Sequence, residues 1–274
     1  MGKALRTFLN IKQLPPIYEN ENNHVLDNPH IFLDEIIRQA YDSEIIRLSM
    51  WIREGNKLSD YKCDNQEVKI IKKNEVVTGM YKWADQIICA TNAQKDKINT
   101  LVRKQIKGYG NEPEIGDRVI SLKNHWKFFS NKDTPLVNGS IGYIKYFYKK
   151  QQKFPYYLNI PEPIDYLYAT IEKEENENEN YSGVPIDYDY LVTGKSKLDS
   201  KQKYKISKSK GKYAVLPPFE FDYAYAISCH RAQGSQWNKV LIQEEAFPFD
   251  REEHARWLYT AITRAVDKVV IIEK

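Results

Sequence analysis

Four short apolar runs constrain the fold of this chain more than any other feature. Gln86-Ile-Ile-Cys-Ala-Thr91, Asp222 to Ser228, Lys239-Val-Leu-Ile242 and Lys268-Val-Val-Ile-Ile-Glu273 each have the length and content of a strand. Helical patterns accompany them. Thr91 or Asn92 can cap a helix that carries Ile98, Leu101, Val102 and Ile106 and stops at Gly108. Asp250-Arg-Glu-Glu253 has the form of a capping box with Asp as the cap, and it opens a helix with Leu258, Ala261, Ile262 and Ala265 on one face. Upstream, Leu33, Ile36 and Ile37 match one helical face within Ile31 to Arg38. Asp42-Ser43 can cap a further helix carrying Ile45, Leu48 and Ile52, which ends at Gly55. Strands alternating with helices predict an α/β fold built on a parallel sheet flanked by helices.

The rhythm changes near Pro113. Gly116 to Leu122 alternates as a strand, and Asn138-Gly139 is a turn signal before the strand-like run Ile141 to Tyr148. A small β-rich insertion is therefore expected over 113–219, with the parallel sheet resuming at about 220. Within it, Glu172 to Asn180 is acidic and rich in Asn, while Lys195 to Lys212 holds eight lysines against one Asp. Both are expected to be surface loops, and the lysine run is a possible grip on a phosphate backbone. Tyr146, Phe147 and Tyr148 are expected to alternate between core and surface along a strand, although such rings can also stack on unpaired bases.

The net charge of +4 is mild and gives weak support to a polyanionic partner. Cys63, Cys89 and Cys229 are scattered, so neither a disulfide framework nor a metal site follows, and no metal is expected. No apolar stretch has the length of a membrane span, and the N-terminus has no apolar core or cleavage site for secretion. A cytoplasmic setting without a membrane partner is expected.

Two segments carry the chemistry. Tyr223-Ala-Tyr-Ala-Ile-Ser-Cys-His-Arg-Ala-Gln-Gly-Ser-Gln236 resembles the A-Y-A-x-T-x-H-K-x-Q-G-S-E segment of superfamily 1 DNA helicases of the RecD/Dda type. Leu258-Tyr-Thr-Ala-Ile-Thr-Arg-Ala265 resembles their Y-T-A-x-T-R-A segment, whose arginine reaches a bound ATP. Shorter matches stand in the same order. Gln13-Leu-Pro-Pro-Ile17 is similar to the tail of G-D-x-x-Q-L-P-P-V, and Leu33 to Gln39 to L-x-x-x-x-R-Q. Ala90-Thr-Asn92 with Ile98-Asn99 is similar to a strand–helix segment. Gly116-Asp-Arg-Val119, Asn124 and Asn138-Gly-Ser-Ile-Gly142 resemble the opening of the family's β insertion.

The resemblance implies a second RecA-like domain over 28–112 and 220–274, interrupted by an SH3-like insertion over 113–219. Residues 1–27 would be a remnant and linker from a first motor domain. It also implies ATP-dependent DNA unwinding with 5′→3′ polarity. Arg264 and Arg38 would be the cations that stabilise the transferring phosphoryl group, a role worth on the order of 10³–10⁵ in rate. Gln13 would sense the terminal phosphate, and Gln233, Gly234 and Gln236 would approach the nucleotide. Thr91, Asn92, Ser228, His230 and Asn124 would contact single-stranded DNA. Three departures stand out: Ser228 replaces Thr, Arg231 replaces Lys, and Gln236 replaces a Glu that meets the ribose. No G-x-x-x-x-G-K-[S/T] loop and no acidic pair for Mg²⁺ occurs, so ATP with Mg²⁺ is expected only when a separate or missing N-terminal ATPase domain supplies them. The other class of reading is a non-catalytic single-stranded nucleic-acid-binding module or a decayed helicase remnant.

Overall fold

A computed structural model describes residues 43–160, 163–209, 215–246 and 251–274. The expectations on Gln13, on the helix around Leu33, on Arg38 and on the Asp250 cap lie outside these residues. In chain order the elements are α1 (Glu44–Arg53), β1 (Val68–Lys72), α2 (Thr78–Trp83), β2 (Gln86–Cys89) and α3 (Asn92–Leu101), which a π-helical stretch, Val102–Lys107, prolongs. Then come β3 (Arg118–Ser121), β4 (His125–Phe129), β5 (Pro135–Leu136), β6 (Ile141–Gln152), β7 (Ile164–Lys173) and β8 (Asn176–Asp187). The helices α4 (Tyr188–Thr193) and α5 (Ser200–Lys208) follow. The remainder is β9 (Phe221–Tyr223), β10 (Ala226–Ser228), β11 (Trp237–Gln243), α6 (Arg251–Ile262) and β12 (Ala265–Glu273).

The first sheet has the order β1-β12-β11-β2-β10, and every pairing in it is parallel. Its strands are apolar along their length because both faces are covered. Side chains alternate between the faces. Ile88, Ile227, Val240, Ile242, Val269 and Ile271 pack with Ile45, Leu48 and Ile52 of α1 and with Leu258, Ala261 and Ile262 of α6. Ile87, Cys89, Leu241 and Ile272 point the other way, into a core shared with Ile98 of α3 and Val102 of its π-helical extension. The expected helix at 43–55 is present: Ser43 caps it and Gly55 follows with a positive φ. The edge strand β1 was not anticipated from sequence.

The second sheet, β8-β7-β6-β3-β9, is antiparallel, and β4 pairs with β5 in a separate hairpin. Two expected loops are regular structure instead. The acidic stretch forms the end of β7 and the start of β8. Its Glu174 and Glu179 turn inward, Glu174 to Arg118 at 2.5 Å and Glu179 to Ser130 at 3.0 Å. The lysine run contains α5, opened by an Asp199/Gln202 capping box. Ile206 of α5 is buried with Leu158, Ile164 and Tyr166, and Lys203 bridges Asp187 at 3.0 Å and Glu220 at 2.8 Å. High charge hid two buried apolar residues, Leu198 and Ile206, and the two ion pairs of Lys203.

The run Asp222 to Ser228, read as one strand, is two. Phe221–Tyr223 pairs with β3 in the second sheet, and Ala226–Ser228 pairs with β2 in the first. Ala224 and Tyr225 carry the chain across. Side chains satisfy the backbone at this break. Asn99 donates to Tyr223 O at 3.0 Å and Ala226 O at 3.1 Å and accepts from Ala226 N at 2.7 Å. Gln86 donates to Ala224 O and Tyr225 O, and Arg118 to Ala224 O at 2.8 Å. Beneath it, Arg103 grips Asp117 in a bidentate pair at 2.8 and 2.9 Å, with side-chain exposures of 6% and 0%. Tyr225 OH and Glu114 N–H also donate to Asp117.

Removing one member of such a pair strands the other charge. Asp117→Ala is expected to lower the unfolding free energy by about 3–5 kcal/mol, read from urea denaturation. A loss below about 1 kcal/mol would show that the pair does not hold the junction.

His125 stacks on Phe219, with ring centroids 3.5 Å apart, and no described residue bonds its buried Nε2. Burial, then the Lys123 charge, lowers its pKa to about 4, against the pull of Glu220. The folded form therefore holds neutral imidazole. Its stabilising contribution is complete above the unfolded pKa of ~6.5 and is lost progressively as pH falls from there toward about 4. His125→Phe should flatten that part of the stability–pH curve; an unchanged slope between those limits would refute it.

Candidate functional site

The parallel register of β2 and β10 builds the centre of the site. Ser228 lies opposite Cys89, and Cys229 N donates to Cys89 O at 3.0 Å. Thr91 and His230, each two residues beyond this pair, emerge at the same carboxyl edge of the sheet, where open α/β sheets place ligands. Thr91 is the N-cap of α3 and accepts from Gln94 N.

The two backbone N–H groups just before that helix, and the Thr91 hydroxyl, are already engaged. The Glu245 carboxylate accepts from Ala90 N at 2.8 Å, from Thr91 N at 3.0 Å and from Thr91 Oγ1 at 2.5 Å. A helix N-terminus favours negative charge, and Glu245 supplies it from the loop after β11. Sequence reasoning missed this residue because its partners lie more than a hundred positions away.

The loop between β10 and β11 turns tightly. Ala232 N and Arg231 N donate to Ser228 O, and Ser235 N to Ala232 O. Cys229 and Ala232 anchor it in the core. Gly234 has φ +92°, which side chains with a Cβ rarely adopt. Nothing lies within 4 Å of a Cβ added there, so backbone conformation, rather than close approach by a protein neighbour, requires glycine. Gln233, Gly234 and Gln236 are exposed.

The two motif segments meet at this loop. Trp237 N donates to Arg264 O at 2.9 Å, and Arg264 Nη1 donates to Ser235 O at 3.2 Å. The guanidinium also donates to Thr260 O at 3.1 Å and to Thr263 Oγ1 at 3.2 Å. Arg264 is only 8% exposed. It is turned into its own domain, where the end of α6 and the Ser235 carbonyl offer it acceptors. Beside it, burial pushes the Cys229 thiol up to about 12, against the opposing Arg264 charge, so it is no nucleophile at neutral pH.

Two clefts divide the remaining residues. A cleft of about 1070 Å³, walled on one side by the β-rich insertion, is lined by His230, Arg231, Gln233, Gly234 and Gln236. A second, of about 580 Å³, lies between α3 and α4 and is lined by Asn92, Lys95 and again Arg231. The residues grouped for nucleic-acid contact therefore separate: His230 stands with the glutamines, Asn92 with the second cleft. Asn124 lines neither; its Oδ1 accepts from Asn138 N at 2.9 Å and fixes the turn before β6, which lies in the insertion's wall of the first cleft. Among the described residues no group of three or more His, Cys, Asp or Glu side chains is placed to hold a metal, and no helix is long and apolar enough to cross a membrane.

Residues 223–272 match the family described as the UvrD-like helicase C-terminal domain. The match runs from β9 into β12 and includes the loop at 229–236 and Arg264. The chain is similar to the solved structure of Pif1 helicase from Candida albicans, with 17% identity over 88% of this chain and 55% of that one, at a TM-score of 0.47. It is similar to Pif1 in a structure of two coordinating helicases at forked double-stranded DNA, with 16% identity, 87% and 49% coverage and a TM-score of 0.49. For Bacteroides Pif1 in complex with ADP-AlF3 and single-stranded DNA the values are 15%, 88%, 51% and 0.45. The chain spans about half the length of these structures. No curated protein matches it.

Glu245→Ala removes the acceptor for three donors at the start of α3. It is expected to lower stability by about 0.5–2 kcal/mol, the usual worth of a cap. Amide exchange at Ala90 and Thr91 should quicken with it; unchanged exchange would show that solvent replaces the carboxylate without loss.

Proposed function

We propose that this chain supplies the C-terminal half of an ATP-dependent, 5′→3′ DNA helicase motor. Arg264, with Arg38 and Gln13, serves ATP hydrolysis. Gln233, Gly234 and Gln236 approach the nucleotide. Thr91, Asn92, Ser228 and His230 form part of the single-strand track, joined by Asn124 on the insertion. The observation that carries this reading is the meeting of the two motif segments: Arg264 bonds the carbonyl of Ser235, between Gly234 and Gln236.

ATP with Mg²⁺ supplies the phosphoryl group and its countercharge, held by a phosphate-loop domain outside these residues. The exposed amides of Gln233 and Gln236 can donate to a nucleotide from the near side. Arg264 would reach it only by leaving Thr260 O, Ser235 O and Thr263 Oγ1. Against a phosphate the guanidinium would gain an anionic partner and could form two parallel N–H···O bonds. On the strand side, a phosphate must compete with the Glu245 carboxylate for the N–H groups of Ala90 and Thr91.

The pure chain should show no Mg²⁺-dependent ATPase above background, with or without dT15. Addition of a phosphate-loop motor domain should produce activity that Arg264→Ala reduces on the order of 10³–10⁵-fold. Robust hydrolysis by the chain alone would overturn the reading. Salt-sensitive dT15 binding, tightened by Glu245→Ala but never accompanied by hydrolysis in the mixture, would favour the non-catalytic module. The inward-turned Arg264 is the observation on that side.

A further inference from the structure

The second cleft contains an arginine whose guanidinium bonds none of the described residues. Arg231 is half-buried, and its guanidinium makes no hydrogen bond or ion pair to any described residue; its Nη1 is fully buried. The Tyr223 hydroxyl, in the same wall, is buried and equally without a partner. An unsatisfied buried donor costs about 1–3 kcal/mol, and more when charged. Both carboxylates of the cleft are committed: Lys95 Nζ holds Asp222, and Asp96 at 3.0 Å. Arg103, beneath, is matched by Asp117. One lysine faces two carboxylates and Arg103 is matched by Asp117, so with Arg231 and the exposed Lys104 the cleft carries a net charge of +1.

We infer that this cleft between α3 and α4 is a phosphate-binding subsite, with Arg231 as its principal cation, and that it takes a phosphodiester of single-stranded nucleic acid. Its volume, about 580 Å³, falls within the ~300–1,000 Å³ usual for ligand pockets. A guanidinium can hold a phosphate through two parallel N–H···O bonds. A second acceptor oxygen would satisfy the Tyr223 hydroxyl after a small local adjustment. Asn92, at the rim, lies one residue beyond Thr91, so the subsite adjoins the carboxyl edge of the sheet. The source of the phosphate rests on the strand reading given above; the cleft's chemistry does not.

The test is fluorescence anisotropy of labelled dT15 with the whole chain, at several salt concentrations, beside titrations with inorganic phosphate and pyrophosphate. Arg231→Gln should weaken dT15 binding about 5–100-fold and lower the salt slope by about one. Arg231→Lys should restore most of the affinity. Thermal midpoints of both variants should stay within a few degrees of the parent, which separates a lost contact from a lost fold. Parent binding that Arg231→Gln and Lys104→Gln leave unchanged would overturn the subsite and leave the strand reading standing. Binding of pyrophosphate but not dT15, abolished by Arg231→Gln, would overturn the strand as the source. Binding of neither would sink both.

Discussion

The buried pairing of Arg103 with Asp117 is the interaction on which the rest of the arrangement depends. Two sheets of different kinds, one parallel and one antiparallel, share a chain that crosses between them at Ala224 and Tyr225. A crossing exposes backbone polar groups inside a core, where each unmade bond is costly. Here Asn99, Gln86 and Arg118 bond that backbone, and the Arg103–Asp117 pair fixes the elements bearing them. Arg103 also ties the segment after α3, donating to the carbonyls of Gly110 and Glu112. Such a pair gives little net stability over an apolar replacement, yet breaking it is costly, so it acts mainly by specifying geometry.

That geometry sets the site. Because β10 must leave the junction in register with β2, Ser228 falls beside Cys89, and the loops that follow both strands open at one edge. The tight turn after Ser228 brings Ser235 to the end of α6, where Arg264 reaches it. A shift of one residue in either strand would invert which side chains face the core. Placement of Thr91, Arg231 and Arg264 is thus inherited from a structural junction they do not touch.

Much of the parallel sheet was legible in the sequence because its strands are apolar runs and its helices carry clear caps. The insertion was less so. Glu174 and Glu179 look like solvent residues until Arg118 and Ser130 are brought to them, and α5 buries one apolar residue among its lysines. The break between β9 and β10 left no local signal, since Phe221 to Ser228 is uniformly suited to strand. In the site, the loop around Gly234 and its neighbour Arg264 were found as motif residues. Glu245 was invisible, because a carboxylate that caps a distant helix has no sequence spacing to betray it.

Motif membership alone does not separate structural from functional polar residues; their satisfaction in the fold does. Asn99, Asp117 and Arg118 stand in motif segments, and each is surrounded by partners that account for it. Their substitution would be felt first in stability. Arg231 stands in a motif segment too, but its charge meets no partner among the described residues, and it lines both clefts at once. A guanidinium held half-buried without an acceptor raises the free energy of the fold unless something outside the chain accepts its hydrogen bonds. Arg264 is the intermediate case: its described acceptors are two backbone carbonyls and a hydroxyl. Arg118, matched by the Glu174 carboxylate, and Arg231, bonded to none of the described residues, mark the two ends of how far the fold itself explains a cation.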